Sequence, residues 1–194
     1  MRLLAAPLAP LLSALLAAIS VVLTLSYPLA IWYGQGRVEP RALALLLVLA
    51  ALARLPAMKA SVSARWSGAG ALLLAALTVM GNGMLPLKLY PVLVNAGLLA
   101  AFGYTLTTPV SMVERFARMR EPSLPPAAVA YTRTVTKVWC GFFVVNGAIA
   151  LGTALWASQE VWSLYNGVIS YGLMGVLFAA EFLVRLRFKR LHHG

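Results

Sequence analysis

The stretch that decides the fold is "KLYPVLVNAGLLAAFGY", residues 88–104. It is apolar over most of the length of a membrane crossing, which takes about 20 helical residues, yet it holds an amide, Asn95, near its middle. The stretch "FFVVNGAIAL", residues 142–151, repeats the pattern with Asn146. Both stretches raise the question of what an amide does among residues suited to lipid.

The composition of the whole chain matches these two stretches. Hydrophobic residues make up 61% of its 194 residues and charged residues 11%, and the mean hydropathy is +0.85. A soluble domain is about half apolar and about a quarter charged. The composition therefore predicts an all-α, polytopic membrane helix bundle that forms a single domain, residues 1–194. The single cysteine, Cys140, excludes an internal disulfide.

Six apolar segments predict six transmembrane helices, at residues 9–33, 40–55, 68–84, 86–108, 137–157 and 161–186. The second and third are short, so residues 40–84 either cross twice or form a re-entrant hairpin. Two crossings are favoured, because a hairpin would draw Arg54, Lys59 and Arg65 into the membrane at a few kcal/mol each. The first segment is interpreted as an uncleaved helix, kinked near Pro28, since it is longer than the about 7–15 apolar residues of a signal peptide.

The basic residues predict the orientation. All of the 16 lysines and arginines except Arg37, Arg41 and Lys88 lie on segments that are cytoplasmic if both termini are cytoplasmic. The five tryptophans are expected at the membrane surfaces, with Trp32, Trp156 and Trp162 outside and Trp66 and Trp139 inside. The net charge of +11 then lies mainly on cytoplasmic segments, where anionic lipid headgroups attract it. No nucleic acid partner is expected.

The longest link contains "SMVERFARMREPSLPP", residues 111–126. Ser111 and Glu114 have capping-box spacing, and an apolar stripe runs beside Arg115, Arg118 and Arg120. This pattern predicts a short amphipathic helix near residues 111–120 that lies on the inner membrane interface. A solvated connector and a surface for docking a partner protein remain open as alternatives.

The sequence offers few groups for catalysis. It has no aspartate and five glutamates, and its two histidines, His192 and His193, stand beside the terminal residue Gly194. No pair of carboxylates is placed for acid and base catalysis, and no phosphate-binding or zinc-binding motif is present. We therefore predict no catalytic residue, no metal site and no cofactor.

A few polar residues remain inside the predicted spans. Asn95 and Asn146 are expected at similar depth on antiparallel helices, where a hydrogen bond between them would contribute about 0.6–2 kcal/mol to packing. Contact with a ligand is the alternative role for both. The shared V-x-V-N and F-V-V-N context is compatible with an inverted repeat, but four residues are too few to establish one. Tyr171 belongs to the same polar set.

Two charged residues in or beside the spans complete the candidate positions. Glu181 has Arg185 at i+4, which favours a structural ion pair over a proton relay. Lys88 is expected at the outer headgroup level, where it either contacts a lipid phosphate or extends its amine to water.

The pattern K-x-Y-P-V-x-x-N-x-x-L-L from Lys88 to Leu99, followed by W-x-x-F-F-x-x-N from Trp139 to Asn146, resembles the intracellular septation protein A family of bacterial inner-membrane proteins, over roughly residues 85–190. The whole chain is also similar to membrane proteins encoded with aryl-polyene or xanthomonadin-type biosynthesis genes. The resemblance implies an accessory role in envelope or lipid biosynthesis, export or septation. Its implied partners are membrane lipids and other envelope or lipid-biosynthesis membrane proteins.

Three classes of function follow from these patterns. A non-enzymatic accessory protein predicts a groove for a partner. A small lipid transporter or flippase subunit predicts a water-accessible cavity lined by Asn95, Asn146, Tyr171 and Glu181. A membrane-embedded transferase requires an acid, base or metal at the same place, for which Glu181 is the one candidate.

Overall fold

The computed structural model describes residues 8–34, 37–53 and 62–192, and all regular secondary structure in these residues is helical. The helices, in chain order, are α1 (Leu8–Gly34), α2 (Pro40–Ala53), α3 (Val62–Gly81), α4 (Leu85–Lys88), α5 (Tyr90–Leu106), α6 (Met112–Arg118), α7 (Pro126–Trp156), α8 (Gln159–Leu164) and α9 (Ser170–His192). A π-helical turn, Tyr165–Ile169, joins α8 to α9. The prediction of an all-α fold is confirmed.

Among the described residues, three helical segments are long and apolar enough to cross a membrane: Leu85–Leu106, Pro126–Trp156 and Gln159–Arg187. Two shorter apolar helices, Pro40–Leu52 and Gly68–Gly81, accompany them. Large hydrophobic side chains are exposed over much of the outer surface, among them Trp156 and Val176. Because water does not favour so large an apolar surface, these features indicate a membrane protein.

The helix bounds differ from the predicted spans where polar residues continue a helix. The helix predicted at 68–84 begins at Val62, and the helix predicted at 137–157 begins at Pro126. Hydropathy marks the part of a helix that suits lipid, whereas the backbone continues through Thr132, Arg133 and Thr136 without a break. Proline is well tolerated at the first position of a helix, because the N–H that it lacks would have no partner within the helix there. Pro126 can therefore begin α7.

The helices pair in antiparallel fashion. The most extensive contact joins α5 to α7, and the next joins α2 to α3. Arg41, at the start of α2, donates from Nε to the carbonyl of Val79 at the end of α3, at 3.0 Å. The link that would decide between two crossings and a re-entrant hairpin, residues 54–61, lies outside the described residues.

Two buried clusters form the core. One gathers Tyr27, Ile31, Leu47, Leu87 and Trp162 near the outer ends of the helices as the basic residues predict them. The other contains Val135, Trp139 and Phe143, with Phe102 and Phe142 packed beside them.

Two of the five tryptophans expected at the membrane surfaces face the interior of the bundle, and their depth in the membrane stays a prediction. Trp162 is fully buried, and its indole N–H donates to the carbonyl of Lys88 at 3.1 Å. Trp139 is 6% exposed and lies well inside α7, because the helix begins 13 residues before it. A tryptophan near the end of an apolar segment can face the bundle as well as lipid, and its position in the sequence does not tell which.

Candidate functional site

The two asparagines that interrupt the apolar stretches meet between α5 and α7. The Nδ2 of Asn146 donates to the Oδ1 of Asn95 at 3.0 Å, and the Nδ2 of Asn95 donates to the carbonyl of Pro91 at 2.9 Å. Both side chains are buried. The expected hydrogen bond between them is present, so each amide has a partner in a region where water cannot supply one.

Gly147 makes this approach possible. A Cβ placed on Gly147 would lie 3.1 Å from the Cβ of Asn95, closer than most real Cβ contacts. A residue with a side chain at position 147 would therefore push α5 and α7 apart at the level of the amides. Gly147 thus allows the two helices to come close enough for the hydrogen bond between Asn146 and Asn95.

Tyr165 completes the site, and the sequence analysis did not include it. Its hydroxyl donates to the Oδ1 of Asn146 at 2.9 Å, so donation runs from Tyr165 through Asn146 and Asn95 to the carbonyl of Pro91. This chain of bonds, here called the amide network, links three segments that are distant in sequence.

The π-helical turn positions Tyr165. A π turn places an extra residue in the helix and is found often at functional sites. The neighbouring Asn166 donates from Nδ2 to Thr153 Oγ1 at 3.2 Å and to the carbonyl of Trp162 at 2.9 Å. Two consecutive side chains thus contact α7 at positions 146 and 153. Asn166, a third asparagine in an apolar segment, is the sequence signal that could have drawn attention to this turn.

Tyr171 does not join the amide network. Its hydroxyl donates to the carbonyl of Thr24 in α1 at 3.2 Å. Pro28 follows Thr24 by four residues and has no N–H to donate to that carbonyl. Tyr171 therefore supplies a hydrogen bond that the proline removes from α1.

Glu181 and Arg185 form the expected ion pair, with 2.7 Å between Glu181 Oε2 and Arg185 Nη2. The hydroxyl of Tyr131 donates to the backbone carbonyl of Glu181 at 3.2 Å. The contact of Tyr131 joins α9 to the first third of α7. The structure thus places Asn95 and Asn146 together but gives Tyr171 and Glu181 separate partners.

Lys88 ends the short helix α4, and its carbonyl accepts the indole N–H of Trp162. The backbone at this position joins the outer core cluster. Contact between its amine and a lipid phosphate stays a prediction.

The predicted short helix near residues 111–120 is present as α6. Its start is held by two threonines, because Met112 N–H donates to Thr105 Oγ1 at 2.9 Å and Val113 N–H donates to Thr136 Oγ1 at 3.3 Å. Glu114 is buried and accepts from Arg118, with 2.7 Å between Glu114 Oε1 and Arg118 Nη2.

The opposite face of α6 is open. Phe116 is 56% exposed and Met119, which follows the helix, is 81% exposed. Arg115 and Arg120 are exposed beside them. Exposed apolar and basic side chains on one short helix are typical of contact with a lipid surface.

A groove of about 430 Å³ lies between α7 and α9. Apolar side chains line almost all of it, and Asn146 and Tyr165 stand toward the end marked by Ile149. It contains neither Tyr171 nor Glu181. This groove is therefore not the polar cavity lined by all four side chains that a transporter would require.

Within residues 8–34, 37–53 and 62–192, no three His, Cys, Asp or Glu side chains come together in a group that could hold a metal ion. No protein family model matches the chain, and comparisons with curated proteins and with solved structures give no match either.

Proposed function

We propose that this protein is a non-enzymatic accessory protein of a bacterial inner membrane that acts in envelope or lipid biosynthesis, export or septation. Its partners would be membrane lipids and other envelope or lipid-biosynthesis membrane proteins. The process is taken from the short sequence patterns of residues 88–99 and 139–146, which resemble those of the septation protein A family, and from the similarity to proteins encoded with aryl-polyene genes, although no family model matches the chain.

The amide network is the observation that carries the proposal. Asn95, Asn146 and Tyr165 bond to one another and to the backbone of α5. Polar side chains that bond across helices stabilise a membrane bundle, whereas a transport or catalytic site must leave polar groups open to a substrate. The two amides inside the apolar helices therefore serve to hold the helices together.

The helix ends support six crossings with both termini in the cytoplasm. Contacts between Arg41 and Val79, between Tyr27 and Leu87, and between Trp162 and Lys88 gather one set of helix ends. Contacts of Arg133 with the carbonyl of Leu106, and of Tyr131 with Glu181, gather the other set. In the proposed orientation the second set is cytoplasmic, because it carries most of the basic residues.

A small lipid transporter or flippase subunit is the second candidate. The groove between α7 and α9 favours it, since an apolar groove with two polar groups at its outer end offers a lipid a path along the bundle. A membrane-embedded transferase is the third candidate, and its one acid within a span, Glu181, is paired with Arg185.

Gene deletion with complementation tests the proposal. In the bacterium that encodes the protein, deletion is expected to change envelope lipid composition, measured by lipid mass spectrometry. A variant with Asn95→Ala and Asn146→Ala should restore that composition when immunoblotting shows normal amounts in the membrane, because packing residues touch no substrate. A variant present at normal amounts that restores nothing would contradict the accessory role and favour transport or catalysis.

Copurification identifies the partner. The tagged protein is solubilised from native membranes, and the proteins that accompany it are measured by mass spectrometry with and without the Asn95→Ala change. An accessory protein is expected to bring down a membrane enzyme or exporter in a fixed ratio. Recovery of this chain without any accompanying protein, from cells in which it restores the lipid composition, would contradict an accessory role.

A further inference from the structure

Helix α6 is attached to two long helices at once. The N–H of Met112 donates to Thr105 Oγ1 of α5 at 2.9 Å, and the N–H of the next residue, Val113, donates to Thr136 Oγ1 of α7 at 3.3 Å. Both threonines are buried. The first N–H groups of a helix have no partner within it, so these two bonds, here called the seat of α6, fix its start to the bundle.

The seat lies at one edge of the apolar spans. Along α7, Thr136 is about 30 Å from Trp156 at about 1.5 Å per residue, which is about the thickness of the hydrocarbon core. Trp156 marks the opposite edge, because α7 ends there and the exposed Glu160 follows. On α5, Thr105 is the last residue but one of the apolar segment Leu85–Leu106. Both helices thus place the start of α6 where hydrocarbon gives way to headgroups.

One face of α6 is occupied by contacts within the protein. Glu114 is buried and pairs with Arg118, and Arg118 also donates to the carbonyl of Pro122 at 2.9 Å. Arg118 therefore stabilises the helix and the turn after it. The exposed Arg115 and Arg120 take no part in the ion pairs of the described residues, so their charges are available to a ligand.

The position of α6 decides what surrounds its open face. Phe116 follows Met112 by four residues, which is about 6 Å along a helix, and each headgroup layer is about 5–7 Å thick. In whichever direction α6 runs, the exposed ring of Phe116 therefore stays within the headgroup layer or at its edge. A large apolar side chain at that level is in reach of acyl chains, which a connector in water would not be.

The charge around α6 indicates the chemistry of the lipid. Residues 111–137 contain five basic residues and two acidic ones. Basic side chains at this level are attracted to anionic headgroups. A helix that presents apolar and basic side chains side by side binds an anionic membrane surface with both, the apolar ones among the acyl chains and the basic ones at the phosphates.

We propose that α6 binds the anionic phospholipids of the inner leaflet, with Phe116 and Met119 inserted at the edge of the hydrocarbon and Arg115 and Arg120 at the phosphates. The seat on α5 and α7 fixes the depth of the helix. The inference names one partner of the proposed accessory protein and rests on its proposed orientation for the identity of the leaflet. The accessory role itself is tested separately, by complementation in cells.

The depth of α6 in liposomes tests the proposal. In a Cys140→Ser background, a nitroxide is attached to Met119→Cys, and the purified chain is reconstituted in phosphatidylglycerol or in phosphatidylcholine. Relaxation of the nitroxide by oxygen and by a water-soluble nickel complex gives its depth. In phosphatidylglycerol the label is expected about 5–10 Å into the boundary of headgroups and acyl chains, and in phosphatidylcholine closer to water. The same label on Ser123→Cys, an exposed position after the helix, should stay in water in both lipids.

Three results of this measurement would overturn the proposal. A label at position 119 that lies in water in phosphatidylglycerol would show that lipid does not cover α6. Shielding of that same label in native membranes would then assign the face to a partner protein, because the liposomes contain no other protein. Equal depth in the two lipids would show that headgroup charge plays no part.

Removing the two arginines tests the phosphate contacts. Arg115→Gln with Arg120→Gln should move the label in phosphatidylglycerol to the depth that it has in phosphatidylcholine. Arg65→Gln with Arg187→Gln removes the same charge from exposed positions on α3 and α9 and should leave the depth unchanged. Equal shifts in the two double variants would reveal a general effect of net charge and contradict the proposal.

Removing two hydroxyls tests the seat. Thr105→Val with Thr136→Val deletes both acceptors and should make the label at position 119 more mobile in phosphatidylglycerol, seen as narrower spectral lines. Thr107→Val with Thr134→Val is the matched control, because each of these exposed hydroxyls donates to a carbonyl three or four residues before it. The control should keep the lines of the labelled parent protein. Lines that stay the same in both double variants would show that the seat does not position α6.

Discussion

The side chains of Asn146 and Asn95 form a 3.0 Å hydrogen bond in the interior of the bundle, although 51 positions separate them in the sequence. The bond lies between the two helices with the most extensive contact in the structure, α5 and α7. Tyr165 extends it to a third segment.

Replacing the two amides tests their coupling. Asn95→Leu and Asn146→Leu should each lower the stability in detergent by about 1 kcal/mol, the order of an interhelical hydrogen bond. The double variant should lose less than the sum of the two, because either single change already leaves the other amide without its partner. Thermal unfolding in a fixed detergent measures all four proteins. Strictly additive losses would show that the two amides act independently.

Gly147 and Gly141 form a matched pair on α7. Gly147→Ala should lower the unfolding temperature, because its Cβ would lie 3.1 Å from that of Asn95. Gly141→Ala places a methyl group in open space and should leave stability unchanged or raise it by up to about 1 kcal/mol through helix propensity. Thermal unfolding of both variants gives the comparison. If Gly147→Ala proved as stable as Gly141→Ala, the close approach of α5 and α7 would be in doubt.

Pro28 and Tyr171 should be coupled through the carbonyl of Thr24. Tyr171→Phe removes the 3.2 Å hydrogen bond to that carbonyl and should cost about 1 kcal/mol. In a Pro28→Ala background the same change should cost less, because alanine provides a backbone N–H for the carbonyl. The four proteins of this cycle are compared by unfolding in detergent. An identical cost in both backgrounds would mean that the tyrosine does not replace the bond that the proline removes.

The crossing of residues 40–84 can be measured with single cysteines. In a Cys140→Ser background, Val38→Cys should react with a membrane-impermeant thiol reagent from the periplasmic side, and Arg65→Cys should react from the cytoplasmic side. Both positions are exposed, so each can be labelled. Labelling of both from one side would favour the re-entrant hairpin over two crossings.

The sequence by itself determined that this chain is helical and apolar enough for a membrane, because composition and the length of apolar runs depend on the residues alone. It also determined local pairs, such as Glu181 with Arg185 and Glu114 with the backbone N–H of Ser111, since residues three or four apart are neighbours on any helix. The meeting of Asn95 with Asn146 was predictable because antiparallel neighbours reach similar depth.

Only the tertiary structure decided which helix faces meet. It turned Trp139 and Trp162 into the core, brought Tyr165 to Asn146 through a π turn, and gave Tyr171 the carbonyl that Pro28 leaves available. The physical reason is that an apolar membrane helix is hydrophobic on every side, so its periodicity carries little information about which side faces lipid and which faces protein. Rotation about the helix axis is set by packing against neighbours, and packing is a property of the assembled bundle.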